Sequence, residues 1–64
     1  MQGTITKVED HGSIVMVWVE NEEDSIPIYF DHRPFYNMAE AEGGDILNRQ
    51  VEYDDETKFF EFLD

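Results

Sequence analysis

Residues 13–19, Ser-Ile-Val-Met-Val-Trp-Val, form the least polar run of the chain and constrain its fold more than any other stretch. The run is rich in β-branched residues, which is typical of a strand. Because strand side chains alternate between the two faces of a sheet, both faces of this strand are apolar. The two sets are Val15, Val17 and Val19 on one face and Ile14, Met16 and Trp18 on the other. Such a strand is either buried on both faces, or buried on one face and used for contact on the other.

Trp18 itself is expected in the core, because a chain of 64 residues has few other side chains large enough to fill one, and an exposed interface anchor is the alternative. Such a chain forms one domain, residues 1–64, with room for a small core only. It has no cysteine and only two histidines, His11 and His32, so neither a disulfide framework nor a zinc site is expected. Stability must come from packing.

The acidic composition restricts the partners that this domain can bind. Sixteen acidic residues against four lysines and arginines give a net charge of -12. Such a surface repels phosphate groups and favours basic partners. No leader pattern is present, and the apolar runs are far shorter than the roughly 20 residues of a membrane span, so we expect a cytoplasmic protein without a membrane partner.

The remaining segments alternate between strand patterns and turn signals. Residues 20–24, four of which are acidic, are expected to form a hairpin connection. Pro27 indicates a sheet edge, because proline cannot donate a ladder hydrogen bond, and Pro34 is expected to close its strand. Besides the run at 13–19, strands are predicted at residues 3–10, 25–32, 51–54 and 58–63, with an acidic turn at 54–57.

Residues 35–42 favour a short helix, and Gly43-Gly44 supplies its stop. Three strands, a helical insert and two strands in so short a chain favour a closed or nearly closed barrel, because open edges invite aggregation. The predicted class is mainly β: a small five-stranded OB-like barrel with a short helical insert between strands 3 and 4. An SH3-like barrel is the alternative, since it also uses five strands with short connections.

The chain resembles the cold-shock domain family, five-stranded OB barrels whose first three strands bind single-stranded RNA or DNA. The resemblance lies in the opening Gly3-Thr4-Ile5, the apolar second strand after a charged turn, the Ile-Pro-Ile-Tyr-Phe of 26–30 and the Arg-Gln-Val-Glu-Tyr of 49–53. The family pattern covers residues 3–30 without a gap. It implies a face on which bases stack on aromatic side chains among lysines.

The departures from the family pattern fall on the base-binding positions. Each stacked base is worth about 1–3 kcal/mol, so the loss of three or four platforms removes several kcal/mol, and the net charge opposes what is left. The replacements keep apolar character, which suits a protein contact. The resemblance also implies that Val15, Val17 and Val19 point into the core, which leaves Ile14, Met16 and Trp18 on the former base-stacking face. The family's first-strand tryptophan falls on Lys7, its three stacking phenylalanines on Ile14, Met16 and Pro27, and its histidine on Tyr29.

These observations support two functional hypotheses. The first is a non-catalytic acidic binding module that contacts a protein partner with a basic surface through the apolar strand 2/strand 3 face; in one form of it the acidic surface imitates nucleic acid. The alternative is a cold-shock-like single-stranded RNA or DNA binding protein. The first uses Ile14, Met16, Trp18, Pro27 and Tyr29, and the second uses Lys7, Tyr29, His32, Arg33 and Phe35.

Residues 30–36 form a second predicted contact region, because they combine aromatic side chains with a histidine and an arginine in one exit loop. The competing interpretation is that Phe30 and Phe35 pack inside while the polar residues hold a turn. The chain has no nucleophile beside a base and no glycine-rich phosphate loop, so neither an enzyme nor a cofactor is predicted. A structural subunit of a larger assembly is a third possibility, and the oligomeric state stays open.

Overall fold

The computed structural model describes residues 1–54, 56–57 and 59–63. Within them, five antiparallel strands form one sheet in the order β3-β2-β1-β4-β5, and one helix, α1, lies between β3 and β4. This confirms the prediction of a mainly β domain with a helical insert between the third and fourth strands. The elements are β1 (Gln2–Asp10), β2 (Ile14–Glu20), β3 (Ser25–Asp31), α1 (His32–Ala41), β4 (Gln50–Asp54) and β5 (Phe59–Phe62).

The central apolar run is β2, which pairs with β1 on one side and with β3 on the other. Val15, Val17 and Val19 are each 0% exposed. The prediction that the valines point inward is therefore confirmed. Trp18 is half-buried on the opposite face and is not a member of the core, so the expectation that it fills the core is wrong.

The core lies between the valine face of the sheet, helix α1 and the segment that follows the helix. Tyr53 is buried, and its hydroxyl accepts a hydrogen bond from Nδ2 of Asn21 at 2.8 Å, which satisfies the polar end of this side chain. Gly3 lets β1 approach β2: a Cβ there would lie 2.6 Å from Cγ1 of Val19. The buried set is Ile5, Val15, Val17, Val19, Phe35, Ala39, Ile46, Val51 and Tyr53.

Helix α1 begins three residues earlier than predicted. Asp31 is its extended N-cap, and Pro34 lies in the first turn, where a missing backbone N–H costs nothing. Pro34 therefore does not close β3, and the predicted exit loop at 30–36 is the end of β3 and the start of the helix. The predicted stop is confirmed, because Gly43 and Gly44 adopt φ angles of 96° and 93°.

The two edges of the sheet are β3 and β5, so the assignment of Pro27 to an edge strand is confirmed. The predicted closure is not seen: no backbone hydrogen bond joins β3 to β5 within the described ranges. The rings of Phe30 and Phe60 meet edge to face instead, with centroids 5.2 Å apart. The sheet therefore curls until side chains of its edge strands touch, without closing the ladder.

Three residues lie outside the described part of the chain: Asp55 of the predicted acidic turn, Lys58 of the predicted last strand, and Asp64. None of the helical structure that is described is long and apolar enough to cross a membrane.

Candidate binding face

The face of the sheet opposite the core is built by alternate residues of β1, β2 and β3, and we call it the outer face. Residues paired directly across antiparallel strands share a face. Trp18 pairs with Lys7 on one side and Pro27 on the other, and Met16 pairs with Glu9 and Tyr29. Ile14 pairs with Asp31. The register thus places all five predicted face residues side by side.

This apolar strip, formed by Ile14, Met16, Trp18, Pro27 and Tyr29, is open to solvent. Tyr29 is 61% exposed and Ile14 is 44% exposed, while the other three are half-buried. Phe35 and Ala39 of α1 are buried with the valines, so the helix packs on the core side of the sheet. The strip is available for a contact.

Glu9 forms a charged border along the β1 side of the strip. Its Oε1 accepts a hydrogen bond from the indole nitrogen of Trp18 at 2.9 Å, and its Oε2 lies 3.2 Å from Nζ of Lys7. These partners, Trp18 first and Lys7 second, hold the pKa of Glu9 below its ordinary value. The carboxylate therefore stays charged and offsets the ammonium of Lys7.

Asp10 ties the turn between β1 and β2 to helix α1. It accepts hydrogen bonds from the backbone N–H of Gly12 at 2.9 Å and from the hydroxyl of Tyr36 at 2.8 Å, and Nε2 of His32 lies 3.5 Å from Oδ2. The bond from Gly12, followed by that from Tyr36, lowers the pKa of Asp10. The hydrogen bond between Tyr36 and Asp10 also raises the pKa of Tyr36. His32 thus lies at the junction of the turn and the helix.

The nine residues predicted to bind separate into two groups. Lys7 shares the outer face with the apolar strip, and its side chain is 63% exposed. His32, Arg33 and Phe35 belong to α1 instead. Phe35 is 3% exposed and packs against Phe30 with ring centroids 5.8 Å apart, so the expectation that it contacts a ligand is corrected. His32 and Arg33 are exposed.

A groove of about 340 Å³ opens where β3 and β5 approach, and we call it the seam groove. Ile14 and Tyr29 line one wall, and Phe59, which is 48% exposed, lines the other. Asp31 and Asp54 add carboxylates to its lining. Sequence reasoning missed this groove because it joins the two edges of the sheet. The available signal was the alternation in β5, which turns Phe59 away from Phe60 and Phe62.

Metal-binding clusters and unpaired buried polar groups are both lacking among the described residues. Among them, no group of three or more histidine, aspartate or glutamate side chains comes together to hold a metal ion. Every buried side-chain nitrogen or oxygen that the structure describes has a hydrogen-bond partner. What the outer face and the seam groove offer is apolar area bordered by carboxylates.

Comparison of the chain with protein-family models, with curated proteins and with solved structures finds no match. The resemblance to cold-shock domains stays a prediction.

Proposed function

We propose that this protein is a non-catalytic acidic binding module whose outer face contacts a protein partner with a basic surface. The observation that carries the proposal is the apolar strip, in which Ile14, Met16, Trp18, Pro27 and Tyr29 lie side by side on a face that α1 does not cover. Tryptophan and tyrosine are the side chains that most often supply binding energy at protein interfaces. Methionine adapts its shape to a partner.

Acidic side chains around the strip support a basic partner. Glu9 borders it on the β1 side, Asp31 lies at the end occupied by Ile14, and Glu20 lies beyond Trp18. An apolar centre with a charged rim is the usual composition of a protein interface. Such rim charges mainly raise the association rate and select the sign of the partner's charge. A net charge of -12 extends the same preference over the whole domain.

In one form of this proposal the acids imitate nucleic acid, and the partner is itself a nucleic-acid-binding protein. The rim carboxylates then stand in for phosphates, while the strip supplies the apolar contact that bases would make. The prediction specific to this form is that single-stranded nucleic acid competes with the protein for the partner.

We also infer an OB-like arrangement of the sheet. The pairing of β1 with both β2 and β4, together with the side-chain contact between β3 and β5, supports a five-stranded, partly open Greek-key barrel. OB folds bind ligands on the face of strands 2 and 3, and the apolar strip lies on the corresponding strands here. This parallel is one of fold alone.

The alternative is a single-stranded nucleic-acid binder resembling the cold-shock family. In its favour, Tyr29 is exposed and shares the outer face with Lys7. Against it, Glu9 lies 3.2 Å from the ammonium of Lys7, and Phe35 is buried. One exposed stacking side chain with one compensated lysine is a weak site for a polyanion, so we favour the protein partner.

The test begins with partners isolated from cell extract on the full chain, each titrated against isotopically labelled protein. Met16→Glu places a charge in the centre of the strip and is expected to weaken binding at least tenfold. Asn37→Glu is the matched control, because it adds the same charge at an exposed position of α1. If Met16→Glu binds every isolated partner as tightly as the wild type does, the outer face is not the site.

A second titration separates the two hypotheses. Trp18 is the only tryptophan of the chain and lies on the outer face, so its fluorescence reports on binding there. The alternative predicts quenching by an unstructured oligonucleotide at low salt that weakens steeply as salt rises. An unchanged spectrum at high oligonucleotide concentration would exclude it.

A further inference from the structure

We propose that the seam groove is a second binding site, which accepts an extended segment of a partner protein in which apolar and basic residues alternate. The segment would add a strand at the open edges of the sheet, with an apolar side chain in the groove. This mode of recognition takes its affinity from main-chain hydrogen bonds and its specificity from pockets for alternate side chains. The seam groove shares Ile14 and Tyr29 with the outer face, whereas Met16 and Trp18 belong to the outer face alone and Phe59 to the groove alone.

The phase of the hydrogen bonding in β3 leaves backbone groups facing the groove. In an antiparallel pair, alternate residues bond to the neighbouring strand and the others point away from it. The N–H of His32 donates to the carbonyl of Ser13 at 3.1 Å. In this register, the backbone N–H and C=O groups of the even-numbered residues of β3 point toward β2. The N–H and C=O of Tyr29 therefore point to the open edge. The backbone nitrogen of Pro27 faces the same edge.

The same reasoning applies to β5. The N–H of Leu63 donates to the carbonyl of Gln50 at 2.9 Å, which sets the phase of the pairing with β4. Phe60 and Phe62 therefore direct their N–H and C=O groups away from β4 and toward the seam. Both edges thus carry main-chain groups that an incoming strand can pair with.

The strand directions favour an inserted strand. Every neighbouring pair in the sheet is antiparallel, so β3 and β5, which are four steps apart, run in the same direction. A direct pair between them would be parallel, whereas an incoming strand can run antiparallel to both. Antiparallel pairing is slightly more stable per residue.

The lining of the groove indicates which side chains the segment carries. The contact between Phe30 and Phe60 lies where the two edge strands approach, and Tyr29 and Phe59 supply exposed apolar walls. A volume of about 340 Å³ is at the lower end of ligand pockets, which suits a short segment. Asp31 and Asp54 are the charged members of the lining. Lysine or arginine next to the buried apolar residue would meet them.

The net charge of the protein favours a partner protein, and not a second copy of this chain, as the occupant of the seam groove. A second copy would bring the same net charge of -12 to the seam, and like charges oppose association. A segment with alternating apolar and basic residues meets both the carboxylates and the apolar walls. The occupant that we propose is therefore a basic strand of a partner.

The probe is a blocked seven-residue peptide in which valine and lysine alternate, titrated into the isotopically labelled full chain. We expect amide shifts and slowed hydrogen exchange at Tyr29, Phe60 and Phe62, with affinity that falls as salt rises. A peptide with glutamate in place of lysine is expected to bind at least tenfold more weakly. N-methylation of the peptide at its valines or at its lysines removes the donors on one edge, and either version is expected to bind at least tenfold more weakly.

Two variants separate this site from the outer face. Phe59→Ser changes a half-exposed wall of the seam groove and is expected to weaken peptide binding at least fivefold, while Met16→Gln, which alters the outer face without adding a charge, is expected to leave the affinity within twofold. Superimposable spectra of the free variants establish that both are folded. The proposal is overturned if the peptide shifts no amide of β5, if the N-methylated peptides bind as tightly, or if the chain alone sediments as a dimer that Phe59→Ser dissociates.

Discussion

The indole nitrogen of Trp18 donates a hydrogen bond to Oε1 of Glu9 at 2.9 Å, diagonally across the pairing of β1 with β2. This bond satisfies the one polar atom of the indole, so the rest of the ring is free for apolar contact. It also fixes a carboxylate at the border of the apolar strip. The apolar and the acidic parts of the candidate interface are thus held together by one contact.

The contact predicts the behaviour of Glu9 in an acid titration. Trp18 is the largest cause of the lowered pKa of Glu9 and Lys7 is the next, so Trp18→Phe is expected to raise that pKa toward its ordinary value. Lys7→Met is also expected to raise it, because Lys7 acts both through its contact with Oε2 and through its charge. The measurement is the titration of the side-chain carboxyl of Glu9 by nuclear magnetic resonance. An unchanged pKa in Trp18→Phe would show that the hydrogen bond does not form in solution.

The alternation of β2 was predictable from the sequence because it is a local property. A strand with three valines on one side and three larger side chains on the other can be buried in two ways, and only the resemblance to cold-shock domains favoured burial of the valine side. The hydrogen bond between Trp18 and Glu9 was not predictable. Sixteen acidic residues look alike in the sequence, and only the strand register selects Glu9.

The burial of alternate residues in β2 leads to a stability prediction. Val17 is fully buried, so Val17→Ala removes two methyl groups from the core and is expected to lower the free energy of unfolding by about 2–3 kcal/mol. Ile14→Ala, on the outer face, is expected to lower it by less than about 1 kcal/mol. Urea unfolding of both variants provides the measurement. Equal losses would mean that the two faces are buried alike.

Two parts of the fold were not predictable from the sequence: the start of α1 and the contact between β3 and β5 at the seam groove. Pro34 reads as a strand breaker, yet the first turn of a helix accepts proline, so the aromatic and polar residues around it became helix instead of loop. The contact between Phe30 and Phe60 joins strands at opposite ends of the sheet order. No local pattern encodes such a contact.

The contacts of Asp10 predict a pH dependence. A lowered folded pKa stabilises the fold above the unfolded pKa of about 3.9, and this contribution is lost as pH falls through the folded value. Asp10→Asn is therefore expected to be less stable than the wild type at neutral pH, with a difference that shrinks at strongly acid pH. Unfolding curves recorded across this range provide the measurement.

The same substitution, Asp10→Asn, is also expected to change the titration of Tyr36 at alkaline pH. Asp10 raises the pKa of Tyr36, so Asp10→Asn is expected to lower that pKa toward about 10, as followed by phenol absorbance. Glu20→Gln, which removes an acid at the far end of β2, serves as the control and is expected to leave the pKa of Tyr36 unchanged. If both substitutions had the same effect, general charge and not the bond from Tyr36 to Asp10 would be the cause.

Pro27 leads to the last prediction, which concerns the open edge of β3. Its nitrogen faces that edge and carries no hydrogen, so the edge lacks one donor that another strand would need. Pro27→Val restores the donor and extends the alternation of an apolar edge strand. We expect the variant to keep its fold and to self-associate at concentrations where the wild type is monodisperse, as measured by sedimentation and light scattering.

Pro34→Ala, a proline replacement within α1, is the control and is expected to leave the association state unchanged. If Pro27→Val stays as monodisperse as the wild type, Pro27 does not protect this edge. Repulsion between the acidic surfaces would then be what keeps the chains apart.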